Sequence, residues 1–324
     1  MPRRSRAPTE HEWLRRLETR LGRGGRAVLV GPGDDAAVLR IGGATLLLTT
    51  DALVTGVHFE PDWLRPRALG ERAYRVNASD IAAMGGRPLA AVMALEVPPA
   101  MRVATLDGIV AGFVTAARHH GASLVGGNVS RGPVLAVTVT LLGLAGSRVV
   151  TRAGARPGDR VVVTGRLGAM GSAVRDRRRG RSTPLPRVPD RVAAGALLGR
   201  VATAMIDVSD GLVQDLEHVA RASRVAIRLD ASRIPIAAAC RQRLGPDVVS
   251  FAVSAGEDYE LVCTVPSRRL AELERLAPTL GCGLTRIGVV ERGRPAVTIV
   301  GAGGRTLRPA IGGFDHLAAP GRRR

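Results

Sequence analysis

Lysine is absent from this 324-residue chain, and all 47 basic residues are arginine. That absence removes mechanisms built on a side-chain amine, including Schiff-base catalysis and the phosphate-binding lysine of a Walker-type nucleotide loop. Aromatic residues make up 2% of the sequence. The core must therefore be aliphatic, and the ring platforms on which single-stranded nucleic acids stack are scarce. Cysteine is limited to Cys240, Cys263 and Cys282. Their odd number and lack of CxxC spacing argue against a disulfide scaffold or a zinc ribbon. The longest apolar run, near residues 135–146, is too short and too rich in threonine to span a bilayer. The first residues are charged and lead into no apolar signal segment, so the sequence predicts a soluble, cytoplasmic protein.

What is present is arginine, glycine and clustered acid. The formal net charge is +19. The excess gathers at Arg3, Arg4 and Arg6, at Arg322, Arg323 and Arg324, and across residues 175–191. Scattered in this way it does not describe one nucleic-acid-binding face. The 40 glycines point to tight turns and close backbone approaches.

Hydrophobic periodicity predicts helices over residues 11–21, 67–84, 103–120, 169–179, 191–200, 212–222 and 268–280. Strands are predicted at 27–30, 44–50, 89–97, from 124 into Gly126 and Gly127, and at 134–144, 160–164, 202–206, 225–229, 260–265, 285–290 and 296–300. Residues 147–159 read as a joint between two domains, 1–148 and 149–324. The alternation of strands and helices implies an α/β or α+β class. Residues 175–191 read as a mobile surface segment that closes over phosphates.

The acids occur in tight groups at strand and helix ends: Asp34-Asp35, Thr49-Thr50-Asp51, Ser79-Asp80, Asp207-Val208-Ser209-Asp210, and Glu257-Asp258. Adjacent carboxylates repel one another unless a cation lies between them, and hard oxygen donors of this kind suit Mg2+ bridged to substrate phosphates. Several magnesium ions would neutralise a triphosphate without any lysine. Each group has a plainer reading. Asp34-Asp35 suits a turn, Asp210 suits a helix N-cap, and Glu257-Asp258 suits a solvated strand end. Five such groups together favour the metal reading. Gly126-Gly127 lets backbone amides approach a ligand, and Arg131 and Arg152 are candidate phosphate clamps.

The segments GPGDDAAVL (31–39), TTDALVTGVHF (49–59), VNASDIAAMGG (76–86), VGGNVSRGP (125–133) and TRAGARPGD (151–159) resemble the N-terminal half of the thiamine-monophosphate kinases. IDVSDGLVQDL (206–216), SAGEDYEL (254–261) and GGFDHL (312–317) continue the resemblance in the same order. It implies a two-domain aminoimidazole-ribonucleotide synthetase-like fold, with an N-terminal α/β domain that pairs in a homodimer and a C-terminal α+β domain that completes the site. The implied activity is ATP-dependent phosphorylation of thiamine monophosphate, assisted by several Mg2+ ions. By the same resemblance Asp35, Thr49, Thr50, Asp51, Asp80, Asp207 and Asp210 hold magnesium, with Asp51 and Asp210 central to catalysis. Gly127, Arg152 and Ser209 contact ATP, and His58, Glu257 and Phe314 face thiamine monophosphate. Phe314 equally suits a tail anchor, and His58 a strand-end histidine.

The sequence departs from these kinases at Gly127-Asn128, where they usually carry Gly-Gly-Asp. Asn128, counted with Gly127 among the ATP- and metal-binding positions, still offers magnesium a carbonyl oxygen but brings no negative charge, so one metal position is expected to be weaker or differently occupied. A second departure is His119-His120, where a tyrosine near the adenine is common. The alternatives are a related ATP-using enzyme with another acceptor, or a non-catalytic nucleotide or RNA binder. Selenophosphate synthesis needs an N-terminal reactive cysteine or selenocysteine, and the first cysteine here is Cys240.

Overall fold

The structure is a computed structural model that describes residues 10–21, 24–307, 309 and 317. Helix α1 (Glu10–Leu21) precedes a six-stranded sheet built from β1 (Val28–Val30), β2 (Ala37–Ile41), β3 (Ala44–Val54), β4 (Arg87–Val97), β5 (Ser123–Arg131) and β6 (Ala136–Leu144). The strand order is β1-β2-β3-β6-β4-β5, antiparallel except for β4 beside β5. Helix α3 (Val103–His119) supplies the crossover for that parallel pair, and α2 (Pro66–Ala83) packs between α3 and the sheet.

Helix α2 has buried residues all round, among them Leu69, Tyr74, Val76 and Ile81, and polar Arg72, Asn77 and Ser79. A helix hydrophobic on one face only would leave those polar groups in water; here Arg72 reaches Glu257 and Ser79 reaches Asp207 in the second half, and Asn77 donates to Ala73 O within the helix. Pro66 occupies the first turn, where its missing amide hydrogen costs nothing. Gly85, at φ +73°, ends the helix, with Gly85 N donating to Ala82 O and Gly86 N to Ile81 O. This is the Schellman arrangement, and it explains the Gly-Gly pair.

The second sheet contains β7 (Arg160–Thr164), β8 (Ala204–Asp207), β9 (Ala226–Asp230), β10 (Leu261–Val265), β11 (Leu284–Glu291), β12 (Ala296–Val300) and β13 (Thr306–Leu307), in the order β13-β12-β9-β11-β7-β10-β8. Only β12 and β9 pair in parallel. The helices of this half are α4 (Ala169–Arg178), α5 (Val192–Leu198), α6 (Leu212–Ser223), α7 (Ala238–Leu244), α8 (Val248–Ala252) and α9 (Leu270–Leu276). One core cluster runs from Val38 and Leu47 through Ile81 to Met205 and Leu261, so the two halves share buried surface.

Two strands run past their predicted ends, β3 to Val54 and β5 to Arg131, and a further strand, β2, lies between the first two that were predicted. The expected helix at 268–280 is α9 flanked by 3-10 turns, the second (Ala277–Leu280) holding Pro278 in its first two positions. A proline lacks the amide hydrogen needed to continue an α-helix. Residues 175–191 are tied down where a mobile segment was expected. They begin as the last turns of α4, Arg75 Nη1 donates to Val188 O at 3.1 Å, and Val188 packs on Val76 and Tyr259. Among the described residues no helix is long and apolar enough to cross a membrane.

Candidate active site

Strand alternation decides which hydroxyl of the Thr-Thr-Asp run can reach α2. Successive side chains on a strand point to opposite faces. Thr49 is buried and donates its Oγ1 proton to Asp80 Oδ2 at 2.6 Å. Thr50 lies on the other face, where its Oγ1 donates to Val139 O at 3.0 Å. Asp51 returns to the face of Thr49, and its charge acts on both Asp80 and Asp207. The structure therefore brings Thr49 and Asp51 to one place and leaves the Thr50 hydroxyl outside it.

Helix α2 supplies the next pair. Ser79 Oγ donates to Asp207 Oδ2 at 2.6 Å, across from the end of β8. Asp35 arrives from the turn before β2, and carboxylate oxygens of Asp35, Asp80 and Asp207 lie within 4.8 Å of one another. Arg152, from the joint between the halves, holds the outer side. Its Nη2 donates to Asp35 Oδ1 at 2.7 Å, and its backbone amide donates to Asp34 Oδ2 at 3.1 Å. Asp35 Oδ2 is buried without a hydrogen-bond partner. A close set of acidic oxygens with one buried lone-pair site unused fits a hard divalent cation.

The turn after β8 completes the acidic wall. Gln214 Nε2 donates to Asp210 Oδ2 at 3.1 Å, and no side chain caps α6 at Gly211. Gly211, not Asp210, holds the N-cap position of α6, and Asp215, a turn further on, accepts the Gly211 amide at 3.0 Å. The Ser209–Asp210 turn lies against Gly256 and Glu257, with Glu257 N donating to Ser209 O at 2.6 Å. Glu257 and Tyr259 both hold positive φ, +66° and +50°. Left-handed backbone costs a residue with a Cβ about 1–2 kcal/mol, strain that tends to gather at functional sites. Arg72, buried in α2, donates from Nη2 to Glu257 Oε1 at 2.8 Å.

Gly127 and Asn128 lie elsewhere within the chain. Gly127 pairs with Met93, which pairs with Val139, which pairs with Asp51. It is therefore level with Asp51 but three strand spacings, about 14 Å, away. His58 follows β3, and its Nδ1 accepts the Val54 amide at 3.1 Å. Phe314 lies outside the described residues. Sequence reasoning gave Asp215 and Arg72 no site role, and named Ser79 and Asp34 only as members of the acidic groups. Ser79, Asp34 and Asp215 sit inside motifs already quoted, and Asp215 was marked by its place one turn beyond Asp210. Arg72 carried no signal among so many arginines.

Burial is the main force on these acids. It raises Asp207 to about 8, helped by the charge of Asp35. It raises Asp34 to about 7, with Asp35 again adding. It also lifts Asp80 well above the usual range, together with Asp51, Asp207 and Asp35. Burial alone would lower Arg152, but its contacts with Asp35 outweigh that and raise it.

In the unfolded chain an aspartate titrates near about 3.9. Between that value and the raised ones the folded protein binds more protons than the unfolded chain, so stability falls as pH rises. In the presence of a chelator the melting temperature should climb as pH is lowered from 8 towards about 5, and magnesium should restore it at the upper end. A chelated protein whose melting temperature is flat or rises with pH over that window would count against this electrostatic picture.

Residues 33–145 match the family described as AIR synthase related protein, N-terminal domain, and residues 156–300 match its C-terminal domain. Thiamine-monophosphate kinase of Pyrococcus horikoshii is 34% identical over 88% of this chain and 90% of its own length. That of Mycobacterium tuberculosis is 39% identical over 75% of this chain and 78% of its own. The solved structure of AaThiL complexed with AMPPCP and TMP superposes with a TM-score of 0.82 at 30% identity, covering 95% of this chain and 97% of that one. With the two-sheet architecture and acids converging from both halves, these likenesses show that the chain belongs to the AIR synthase related proteins and, among them, to the thiamine-monophosphate kinase family.

Proposed function

We propose that this protein transfers the γ-phosphoryl group of ATP to thiamine monophosphate, giving thiamine diphosphate, and that it does so in the cytoplasm with magnesium. The observation that carries the reading is the meeting of Asp35, Asp80 and Asp207 within 4.8 Å. They come from different elements and both halves of the chain, with Arg152 as their cationic neighbour.

Asp35, Asp80 and Asp207 would hold the ions, with Asp51 and Asp210 at the edge of the group and Thr49 orienting Asp80. When bound, magnesium neutralises charge on the transferring phosphate oxygens. The chain's own residues position the rest. Arg152 and the Ser209 turn face the nucleotide. Glu257, fixed by Arg72, faces the acceptor together with His58. A phosphate oxygen of the acceptor is already anionic near neutral pH, so no side chain has to remove a proton from it. Catalysis then rests on in-line placement and on charge already arranged before reaction.

The working form is a homodimer, with residues 1–148 forming the pairing domain and 149–324 completing the site. Strand β5 supports this reading. It is an exposed sheet edge carrying Val125 and Val129, each 65% exposed, and such an edge is a template for pairing with another chain. Pairing there would bring Gly127 and Asn128 to the subunit interface, where they approach ATP.

The test is ADP release measured with thiamine monophosphate, thiamine and aminoimidazole-ribonucleotide precursors, each with and without magnesium. Magnesium-dependent release with thiamine monophosphate alone is expected. Release with an aminoimidazole precursor and none with thiamine monophosphate would overturn the reading.

A further inference from the structure

Away from the aspartates, the C-terminus of α3 carries two adjacent imidazoles. Neighbouring residues inside a helix point about 100° apart. Here the helix ends at His119, and His120 takes the cap position at φ −100°, ψ 7°. The two rings come to 5.3 Å between centroids, inclined at 71°. Asp190, just ahead of α5, places Oδ2 2.9 Å from His120 Nε2. One donor atom from each of His119, His120 and Asp190 lies within 4.8 Å of the others. We propose that His119, His120 and Asp190 form a binding site for a divalent transition-metal ion of the zinc class, separate from the magnesium site.

Three features of the surroundings argue for this. The first is the donor set. Two imidazole nitrogens and one carboxylate are the ligands of many zinc sites that keep a fourth position open, whereas magnesium prefers oxygen. The second is support behind the ligands. Tyr74 Oη lies 2.8 Å from His120 Nδ1 and its ring stacks on the imidazole at 24°. Metal-bound histidines commonly have their other nitrogen held in this way, which fixes tautomer and ring orientation. On metal binding the His120 ring proton sits on Nδ1 and is accepted by Tyr74 Oη, leaving Nε2 free for the ion. Asp190 is held too, since its Oδ1 accepts the Val192 amide at 3.2 Å. The third is freedom where it is needed. Tetrahedral zinc ligands at about 2.0–2.2 Å from the ion are roughly 3.3 Å apart, and His119 is exposed and able to rotate inward.

An ion here would join α3 of the first half to the segment that leads into α5 of the second. Binding only the folded form, it would raise thermal stability in proportion to its occupancy.

The experiment is a zinc titration of the full chain by dye competition, in a large excess of magnesium so that the carboxylate site is filled. One saturable zinc per chain is expected. His119→Ala and Asp190→Asn should each weaken it at least about tenfold, and Tyr74→Phe by about 10- to 100-fold. With cobalt in place of zinc, His119→Ala and Asp190→Asn should change the visible spectrum of the bound ion, since each removes a ligand atom or its charge. His119→Ala removes an exposed side chain, and Asn at 190 keeps the oxygen that accepts from Val192, so both should fold; far-ultraviolet circular dichroism checks this. A Cys282→Ser variant should bind zinc as the parent does. Binding that survives His119→Ala unchanged, or disappears when magnesium is added to the parent, would overturn the proposal.

Discussion

Asp207→Asn should lower turnover at saturating ATP and thiamine monophosphate at least about a hundredfold, in line with the loss of one transition-state electrostatic contact. It should also raise the melting temperature of the chelated protein at pH 8. The two effects have one cause. In the folded chain Asp207 is buried beside Asp35 and Asp51, and burial pushes its carboxyl up to about 8. Holding it ionised there costs free energy that the Ser79 hydroxyl and Arg152 offset only in part and that a bound cation would offset further. Asparagine has nearly the same shape and can still accept the Ser79 hydroxyl proton, but it carries no charge. Removing the charge should therefore stabilise the chelated protein and lessen its response to magnesium. A merely structural aspartate would behave in the opposite way, with lower stability and nearly normal turnover at saturating magnesium. That outcome would remove Asp207 from the catalytic group. The parent's lead in activity should be accompanied by a larger stabilisation from magnesium than the variant shows.

Gly112→Ala should produce the largest loss of stability. Helices α2 and α3 cross with Gly70 facing Ile109 and Gly112 facing Arg67. A Cβ added at Gly112 would fall within 3.0 Å of the Arg67 backbone, closer than real Cβ atoms approach. Two effects compete. Alanine is the better helix former by about 1 kcal/mol, while overpacking costs about 1–3 kcal/mol and more when backbone must move. The obstructing atoms are carbonyl and Cα rather than a side-chain tip, so packing wins and a net loss of about 2 kcal/mol or more is expected. That corresponds to a melting-temperature drop of roughly 4 °C or more. Thr115→Ala, on the exposed side of the same helix, should change stability by less than about 0.5 kcal/mol. Equal melting temperatures for Gly112→Ala and Thr115→Ala would show that the helices have room to part. Turnover of Gly112→Ala should fall as well, because α2 carries Ser79 and Asp80.

The helices were readable because their apolar spacing and terminal signals agree, as at Pro66 and at Gly85-Gly86. The short helices α7 and α8, 7 and 5 residues long, were not predicted; a segment this short carries little periodicity to read. The acidic groups were legible as groups, yet their assembly was not. Nothing local says that Ser79 meets Asp207, a contact spanning 128 residues. Thr50 could have been set apart from Thr49 by the two-residue period of a strand alone. The separation of Gly127 from Asp51 required the strand order, which is a property of the folded sheet. Arg152 was one arginine among 47, and residue type could not distinguish it. Residues 175–191 looked mobile for their arginines and prolines, but those arginines find acids: Arg187 meets Glu71, Arg191 meets Glu260, and Arg181 meets Asp176.

Helix α2 has contacts on several sides at once. Arg72 reaches Glu257, Ser79 reaches Asp207 and Asp80 receives Thr49. Arg72 and Ser79 stand two turns apart on nearly the same face. The spacing between Glu257 and Asp207 is thus counted out along a single rod. One residue inserted between Arg72 and Ser79 would swing one end about 100° out of line with the other. A change in the length of α2 between Arg72 and Ser79 would therefore disturb both contacts at once, where a substitution at one of them disturbs one.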